Sequence, residues 1–330
     1  MTPYVGNGWR VLVGDAVASL STLADGSARC CVTSPPYWGL RDYGVDGQIG
    51  MEPTPDAYAA RLVEVFREVR RVLADDGTLW LNIGDTYASS GGHTDTGCSD
   101  RRADYRIGRR PEHDDRSKRP VAPAGIKPKD LVGVPWLLAF ALRADGWYLR
   151  SDIIWHKPNP MPESVTDRPT KGHEYLFLLS KREHYYYDAG GVAEDTTDPE
   201  YRSVGKVRPG TDPLYVATGD GGSGRYRTGL GAQPGGRLTR NRRTVWTIAT
   251  EPYPGAHFAV MPTELVRPCI LAGSATGDAV IDPFSGAGTV GVVARRLGRL
   301  YAGCELNPEY AALSAHRISE DQPLLNRAAS

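Results

Sequence analysis

Two hydrophobic patterns alternate along the chain: short apolar runs rich in β-branched residues, and longer stretches in which apolar residues recur at helical spacing. The clearest helix is predicted over residues 55–73. Other helices are predicted at 16–23, 131–144, 289–297 and 309–318, and in the segment that ends at 271. Strands are predicted at 9–13, 28–33, 78–83, 147–155, 173–179, 244–248, 279–281 and 299–304. This alternation favours a three-layer α/β fold with a mostly parallel sheet.

Two long segments interrupt the alternation because they lack hydrophobic periodicity. Residues 87–128 are rich in Gly, Ser, Arg and Pro, and residues 190–250 are rich in Gly, Arg and Tyr. Irregular stretches of this length are uncommon in a compact domain, and those that occur are usually functional or mobile. We therefore expect insertions there, apart from the short strand near 244–248.

Composition narrows the class of protein. With 40% hydrophobic and 24% charged residues, the chain has the make-up of a soluble globular protein. No apolar run approaches the ~20 residues that span a bilayer, and the first residues do not form a signal peptide. The five cysteines show no metal-binding spacing, so we expect reduced core residues and no metal. A cytoplasmic protein without membrane association is predicted.

Charge is balanced overall but not locally. The chain has 39 basic and 39 acidic residues, yet residues 201–250 hold nine Arg or Lys against two Asp. Such an excess is the footprint of a surface that contacts phosphates, although a solvated loop gives the same pattern. The candidate contacts are Lys157, in a Pro-rich loop, and Arg225, Arg227, Arg237, Arg240, Arg242 and Arg243.

The stretch Thr33-Ser34-Pro35-Pro36-Tyr37 follows a predicted buried strand. The two prolines end the strand and hold the preceding residues extended, which makes a rigid corner. This corner presents the Ser34 hydroxyl, backbone carbonyls and the Tyr37 ring. These groups could hold a flat base that carries an exocyclic amine, although a turn with a purely structural role gives the same pattern.

A second motif, Asp282-Pro283-Phe284-Ser285-Gly286-Ala287-Gly288-Thr289, follows another strand and opens a helix. Its glycines permit a tight turn and close approach of a ligand, and Glu305 ends the next strand at the spacing of a ribose ligand. A dinucleotide site is the main alternative. However, the third glycine of that fingerprint is missing, and Asp282 would repel a pyrophosphate while accepting from an ammonium group. A methyl donor is therefore favoured over NAD or a purely structural turn.

Together the two motifs resemble those of S-adenosylmethionine-dependent amino-methyltransferases of DNA. The resemblance implies that Ser34, Pro35, Pro36 and Tyr37 form the catalytic box and that S-adenosyl-L-methionine is the cofactor. The implied cofactor contacts are Asp15, Thr33, His257, Phe258, Pro262, Asp282, Pro283, Phe284, Ser285, Gly286, Gly288, Thr289 and Glu305. For Asp15 a helix cap, and for His257 a capping or core role, remain alternatives.

Motif order indicates the subclass, because the catalytic box precedes the Arg-rich region and the cofactor loop comes last. This order resembles the circularly permuted β-type arrangement, whose Rossmann-like sheet has seven strands, one of them antiparallel. The C-terminal helix would then lie beside the N-terminal strand. Residues 1–86 would form the catalytic half, 87–128 a basic insertion, 129–189 the continuation of the sheet, 190–250 the target-recognition region and 251–330 the cofactor-binding half.

The activity implied by this resemblance is methylation of an exocyclic amine in double-stranded DNA, by base flipping and direct transfer. Ser34 in the box favours the N4 of cytosine, with the N6 of adenine as the alternative. A catalytically inactive DNA-binding regulator on the same scaffold is a further alternative. The recognition sequence, self-association and a cognate restriction endonuclease are matters that the sequence leaves open.

Overall fold

The computed structural model describes residues 2–40, 44–88, 125–195, 239–251 and 260–321. The helices are α1 (Ala16–Ser21), α2 (Pro55–Val72), α3 (Val134–Ala144), α4 (Thr263–Gly273), α5 (Thr289–Arg296) and α6 (Pro308–Glu320). The strands are β1 (Tyr4–Gly6), β2 (Trp9–Val13), β3 (Ala28–Thr33), β4 (Leu73–Ile83), β5 (Tyr148–His156), β6 (His173–Ser180), β7 (Glu194–Asp195), β8 (Thr239–Arg240), β9 (Val245–Thr247), β10 (Ala279–Asp282) and β11 (Leu300–Glu305).

Nine of the strands form one mixed, mostly parallel sheet with the order β1-β2-β11-β10-β3-β4-β6-β5-β9. In the central seven strands, β2 to β5 in that order, only β6 runs against the others. This is the predicted seven-stranded arrangement. The short edge strands extend it, since β1 pairs antiparallel with β2 and β9 pairs parallel with β5. Strands β7 and β8 form a separate antiparallel ribbon.

Helices cover both faces of the sheet, as predicted. Successive strand residues point to opposite faces, so Leu79 and Leu81 of β4 pack with α1, α2 and α3, whereas Trp80 packs with α4, α5 and α6. Phe177 and Leu178 of β6 divide between the same two cores. The runs that seemed uniformly apolar in the sequence are therefore strands buried on both sides.

The end of α2 differs from the prediction. The sequence predicts a helix that ends at residue 73 and a strand that begins at residue 78, but β4 begins directly at Leu73 and includes Asp75, Asp76 and Gly77. The aspartates take ion-pair partners instead: Asp76 pairs with Arg29, and Asp75 with Arg182 at 2.7 Å. These contacts hold two residues of low strand propensity in the strand. The start of α2 is as predicted, with Pro55 in the first turn and Thr54 as the N-cap.

The helix predicted from residue 131 begins at Val134. The carboxylate of Asp85, which follows β4, accepts hydrogen bonds from the Gly133 and Val134 amides at 3.0 Å. An acidic side chain distant in sequence therefore caps α3, and residues 131–133 stay outside the helix. None of the helices in the described ranges is both long enough and apolar enough to cross a membrane.

The two ends of the described chain meet in the sheet. Strand β2 near the N-terminus pairs in parallel with β11, and α6 packs against β1 and β2. The predicted neighbourhood of the C-terminal helix and the N-terminal strand is therefore confirmed. It places the Ser34 corner, after β3, and the glycine loop, after β10, at the carboxyl ends of two adjacent parallel strands.

Candidate active site

A cavity of about 720 Å³ lies at the carboxyl ends of β2, β11, β10 and β3. Open α/β sheets bind ligands at this edge. The four residues of the Ser34–Tyr37 corner line one part of it, and Asp282 to Ala287 with Thr289 and Glu305 line another. Two motifs about 250 residues apart in the sequence therefore share one cavity.

The Ser34–Tyr37 corner is held by contacts from neighbouring elements. The Tyr58 hydroxyl of α2 donates a hydrogen bond to the Pro36 carbonyl at 2.7 Å. The ring of Tyr37 lies against the backbone of Gly84, where a Cβ atom would come within 2.6 Å of the ring. The corner is therefore rigid, and residue 84 has to be glycine for Tyr37 to lie where it does.

The hydroxyl of Tyr37 belongs to a polar network that sequence reasoning missed. It donates to the Glu174 carboxylate at 2.7 Å and lies 3.3 Å from the Asn82 side-chain oxygen. The other carboxylate oxygen of Glu174 accepts from the Lys157 ammonium. Burial, and the negative charge of Glu174, raise the pKa of Tyr37 well above its usual value, so its hydroxyl keeps its proton.

Ser34 adjoins this network, since its hydroxyl lies 3.5 Å from that of Tyr37. This distance is at the outer limit of a hydrogen bond, so the serine hydroxyl is free to turn toward a ligand. Asn82 and Glu174 come from β4 and the antiparallel β6. Their approach to Ser34 depends on the pairing of these strands, and no local sequence signal announces it.

The glycine loop on the opposite side adopts the conformation that its glycines suggested. Gly286 and Gly288 have φ angles of +50° and +77°, in the left-handed region that other residues rarely adopt. The Glu305 carboxylate accepts from the Gly286 amide at 2.8 Å and from the Asn307 amide at 2.9 Å. It therefore fixes the turn as well as facing the cavity. Burial raises the pKa of Glu305.

Asp282 at the end of β10 is almost fully buried, with 2% of its surface exposed. Burial raises its pKa to about 7, although hydrogen bonds from the Thr33 hydroxyl and the Phe284 amide oppose the shift. The Thr33 hydroxyl donates to the Asp282 carboxylate at 2.6 Å. Thr33, expected to contact the cofactor, is itself fully buried behind the cavity wall. It acts on the site through Asp282.

A second layer braces the glycine loop from behind. The Ser285 hydroxyl lies 2.8 Å from that of Tyr301 and 3.0 Å from that of Ser314 on α6. Arg317 donates to the Ala287 carbonyl at 2.6 Å. These partners come from the last strand and helix, and only the fold brings them to the loop.

The remaining predicted cofactor contacts lie as follows. Asp15 lines the cavity and also caps α1 by accepting a hydrogen bond from the Ala18 amide at 3.0 Å. Its position therefore fits both the predicted cofactor contact and the alternative of a helix cap. Pro262 is buried at the start of α4, beside Met261, which lines the cavity. His257 and Phe258 lie outside the described residues.

The predicted phosphate contacts are only partly described. Arg225, Arg227 and Arg237 lie outside the described residues. At the ribbon of β7 and β8, Glu194 pairs with Arg240 at 3.3 Å and with Arg243 at 3.0 Å. The Arg242 guanidinium lies 4.4 Å from the centre of the Trp246 ring. Lys157 lines the cavity and is paired with Glu174, so its ammonium belongs to the polar network of Tyr37, Asn82 and Glu174.

The donor and acceptor set of the cavity fits S-adenosylmethionine better than a dinucleotide. Among the described residues that line it, six side chains are acidic and Lys157 is the only cationic one. Carboxylates attract a ligand with a sulfonium and an ammonium group, and they repel a pyrophosphate. The acidic lining residues are Asp15, Glu163, Glu174, Glu251, Asp282 and Glu305.

Comparison with known proteins gives a consistent result. A family model described as DNA methylase matches residues 28–316. The Type II methyltransferase M.Cfr9I of Citrobacter freundii is 48% identical over 98% of this chain and 92% of its own length. The Type II methyltransferase M.SmaI of Serratia marcescens is 50% identical over 94% of this chain and 90% of its own length.

Solved structures show the same fold at lower identity. The PvuII DNA methyltransferase, described as cytosine-N4-specific, superposes with a TM-score of 0.60 at 18% identity, covering 95% of this chain and 87% of that one. The putative DNA modification methylase TTHA0409 of Thermus thermophilus, complexed with S-adenosyl-L-methionine, gives a TM-score of 0.56 at 24% identity, covering 95% and 94%. The Rossmann-like methyltransferase fold expected from the motifs is confirmed.

Proposed function

Because this chain belongs to the DNA methylase family of N6- and N4-amino methyltransferases, we propose that it methylates the exocyclic N4 of cytosine in duplex DNA. It is an S-adenosylmethionine-dependent DNA methyltransferase. The observation that carries the proposal is the single cavity that holds both the Ser34–Tyr37 corner and the Asp282–Thr289 loop. An amine and a methyl donor bound at these two places would lie next to each other.

The residues of the glycine loop are suited to bind the cofactor, which supplies an electrophilic methyl group when bound. Asp282 faces the cavity with a carboxylate that can accept from an ammonium group, and Glu305 can accept from ribose hydroxyls. Phe284 adds an aromatic side chain to the lining of the cavity. Because the loop is braced by hydrogen bonds before any ligand arrives, little reorganisation is needed on binding.

The corner is suited to bind the base. A flipped cytosine would stack on the Tyr37 ring, which offsets part of the few kcal/mol that unstacking costs. The Ser34 hydroxyl and the Pro35 carbonyl would accept hydrogen bonds from the two N4 hydrogens. These acceptors would turn the nitrogen lone pair toward the methyl group, so that the bond from N4 to the methyl carbon forms as the bond from sulfur to that carbon breaks. They would also stabilise the positive charge on the amine until its surplus proton is lost to solvent.

Direct transfer of the methyl group requires no covalent bond between enzyme and base. Cys30 and Cys31, which lie nearest to the corner in sequence, are also poorly placed to act as nucleophiles. Cys30 and Cys31 precede the corner in β3 and are fully buried. Burial raises the pKa of Cys30 to about 12 and also raises that of Cys31 well above its usual value, so both thiols stay protonated. Nucleophilic attack on the base by either thiol is therefore disfavoured.

The similarity to Type II methyltransferases supports finer proposals about target and partner. Identities of 48 to 50% extend over nearly the full chain, so they include the Arg-rich segment that we expect to read the DNA. We therefore expect this protein to modify the same DNA sequence as M.Cfr9I and M.SmaI. A restriction endonuclease with that specificity is the expected functional partner.

The test is expression in a host that lacks DNA modification, followed by nucleoside mass spectrometry and modification-sensitive sequencing. N4-methylcytosine at one short motif is the expected result. N6-methyladenine would assign the alternative base instead. Binding of S-adenosylmethionine with no methylated base would point to an inactive scaffold that regulates by binding DNA.

Variants of the corner connect this activity to the site. Tyr37→Ala should slow methylation by about tenfold to a hundredfold, because base stacking contributes about 1–3 kcal/mol. Ser34→Ala should slow methylation by about twofold to tenfold, since a typical hydrogen bond contributes about 0.5–1.5 kcal/mol. Both variants should bind S-adenosylmethionine like the wild type in calorimetry. The matched controls are the exposed Tyr148→Ala and Ser319→Ala; full activity in both corner variants would refute the assignment.

A further inference from the structure

One carboxylate organises the base side of the cavity. Glu174, near the start of β6, accepts from the Tyr37 hydroxyl at 2.7 Å and from the Asn82 amide at 3.2 Å on one oxygen. Its other oxygen accepts from the Lys157 ammonium. Three donors from three separate segments thus converge on a side chain that is only 15% exposed. The lone pairs of Glu174 are largely used by these protein donors.

Among these three donors, Lys157 has N–H groups that can still donate to a ligand. Its ammonium carries three hydrogens, and only the bond to Glu174 is accounted for among the described residues. The side chain is 18% exposed and lies 4.3 Å from the centre of the Trp155 ring. Glu174 and Trp155 therefore fix the ammonium at the cavity wall.

A buried ion pair of this kind is not required for stability. A well-packed apolar pair is often as stable, because two charges lose their hydration on burial. Lys157 and Glu174 both line the cavity, so a ligand can reach the charges they hold. This position favours a role in binding over a role in folding.

The expected base needs such a donor. Once Ser34 and the Pro35 carbonyl accept from the amine, a cytosine still presents the acceptors N3 and O2. Both lose water when the base leaves the DNA helix, and a buried acceptor without a donor is costly. Lys157 is the only cationic side chain among the described residues that line the cavity.

On the basis of the proposed function, we propose that Lys157 donates to the N3 and O2 edge of the flipped cytosine. Glu174 is the positioning residue, because its carboxylate fixes the Lys157 ammonium relative to the Tyr37 hydroxyl. One carboxylate thereby couples the residue that stacks on the base to the residue that reads its edge. The substrate class recognised at this subsite is an amine-bearing pyrimidine with an adjacent ring nitrogen and carbonyl.

The experiment compares single-turnover methylation of duplexes that carry cytosine or 3-deazacytosine at the target position. In the analogue a C–H replaces N3 and the amine is retained. The wild type should lose about tenfold or more with the analogue, the loss expected for a hydrogen bond to a charged donor. Lys157→Met should be slowed similarly on cytosine and should show no further loss on the analogue.

Two results would overturn the assignment. One is a Lys157→Met variant that methylates cytosine at the wild-type rate. The other is a variant that is slowed on cytosine and still loses the full factor on the analogue, because the two changes would then be independent. The exposed Lys129→Met, which breaks the ion pair with Asp167, serves as the matched control.

Glu174→Gln tests the positioning role without removing the ammonium. It should lower kcat with little change in affinity for S-adenosylmethionine, and it should reduce the sensitivity to 3-deazacytosine. Glu174→Asp should restore part of both, whereas the exposed control Glu320→Gln should change neither. An unchanged analogue sensitivity in Glu174→Gln would refute the role, and this variant also decides the question if Lys157→Met does not fold.

The same assay separates this inference from the proposed function. If the wild type fails to methylate N4 of cytosine in the control duplex, the function itself is wrong. If it methylates that duplex and the Lys157 variants behave as wild type on both, only the subsite assignment is wrong.

Discussion

A carboxyl group buried at the end of a strand stays charged only if its surroundings replace the water that it gives up. Asp282 receives two hydrogen bonds, from the Thr33 hydroxyl and the Phe284 amide, and these do not offset its burial. Glu305, a second carboxylate nearby, raises its pKa further. The free site is therefore poised to gain a positive charge, which the ammonium of S-adenosylmethionine would supply.

This balance predicts a pH-dependent affinity for the cofactor. The pKa of Asp282 is raised to about 7 in the free protein, so below that pH the carboxyl must lose its proton before it can accept from an ammonium. The association constant should increase by up to about tenfold per pH unit on approaching pH 7 and should level off above it. Calorimetric titration between about pH 5.5 and 8.5 measures it.

Stability should respond with the opposite sign. The unfolded carboxyl titrates near 3.8, so between about pH 4 and 7 the folded state holds the proton more tightly. In this window the contribution of Asp282 to the free energy of unfolding falls as pH rises. Asp282→Asn should flatten both profiles and bind the cofactor weakly at neutral pH; an unchanged profile in this variant would assign the dependence to another group.

Among the elements, the glycine loop has the least freedom to vary. Gly288 precedes α5 with a φ of +77°, and a Cβ atom there would lie 2.5 Å from the Ser314 hydroxyl and 3.0 Å from its Cα. The loop therefore depends on the close approach of α6. A side chain at 288 would push apart two elements that together form one wall of the cavity.

Gly288→Ala should consequently lower the free energy of unfolding by more than backbone strain alone would. The left-handed conformation should cost about 1 kcal/mol in any alanine variant, and the contact with Ser314 should add about 1–3 kcal/mol. Gly26→Ala is the matched control, since it has a φ of +65° with nothing within 4 Å of a Cβ atom. Urea unfolding should show a larger loss in the free energy of unfolding for Gly288→Ala than for Gly26→Ala. Equal losses would show that α6 can shift away from residue 288 at no energetic cost.

Periodicity and turn residues predicted most elements, because burial on one helix face or on both sheet faces leaves a direct trace in the sequence. Where the bounds of an element differ from the prediction, charged residues distant in sequence make the contacts. Asp75 and Asp76 lie within β4 and pair with Arg182 and Arg29, and Asp85 accepts a hydrogen bond from the first residue of α3. The edge strand β1 was missed because its three residues carry too short a pattern to recognise.

The candidate site was predictable where its residues are consecutive, or where a single acidic residue ends a predicted strand, as Asp15 and Glu305 do. Ser34 to Tyr37 and Asp282 to Thr289 each occupy one loop, so the sequence displays them as motifs. Glu174 lies on β6, whose antiparallel pairing with β4 brings it to Tyr37. Such a residue gives no local signal, since its role is created by strand order and not by its neighbours in sequence.

For the whole molecule, chain order and strand order differ in a way that explains how the site is assembled. The last elements, β10 to α6, insert between β2 and β3, which belong to the first part of the chain. Each half of the cavity therefore depends on the other for its neighbouring strand. The strands of residues 1–86 and of residues 251–330 that the structure describes therefore alternate within one continuous sheet.

Charge is also divided on this scale. The cavity is acidic, the net charge is zero, and the excess of Arg and Lys lies in residues 201–250. Acidic walls repel a phosphate backbone, so the cavity cannot supply the electrostatic attraction that most DNA binding requires. Attraction to DNA has to come from elsewhere in the chain, and the Arg-rich segment is the strongest candidate.

The last prediction follows from this division. Simultaneous Arg225→Ala, Arg227→Ala and Arg237→Ala substitutions should weaken binding of specific and unrelated duplexes alike. They should also lower the salt slope of log K by about 0.9 for each phosphate that is no longer neutralised. Affinity for S-adenosylmethionine should not change, because the proposed cofactor site lies in the acidic cavity and its proposed contacts include none of these arginines. Fluorescence anisotropy across a salt series measures the slope.

The control for that triple variant removes equal charge elsewhere. Arg67, Arg267 and Arg296 are exposed, and Arg67 and Arg296 pair with aspartates at the surface, so their replacement by Ala should change stability little. If this control lowers the salt slope as much as the first variant does, DNA responds to total charge and the Arg-rich segment has no special role. If only the first variant does so, the insertion binds the phosphates while the cavity receives the flipped base.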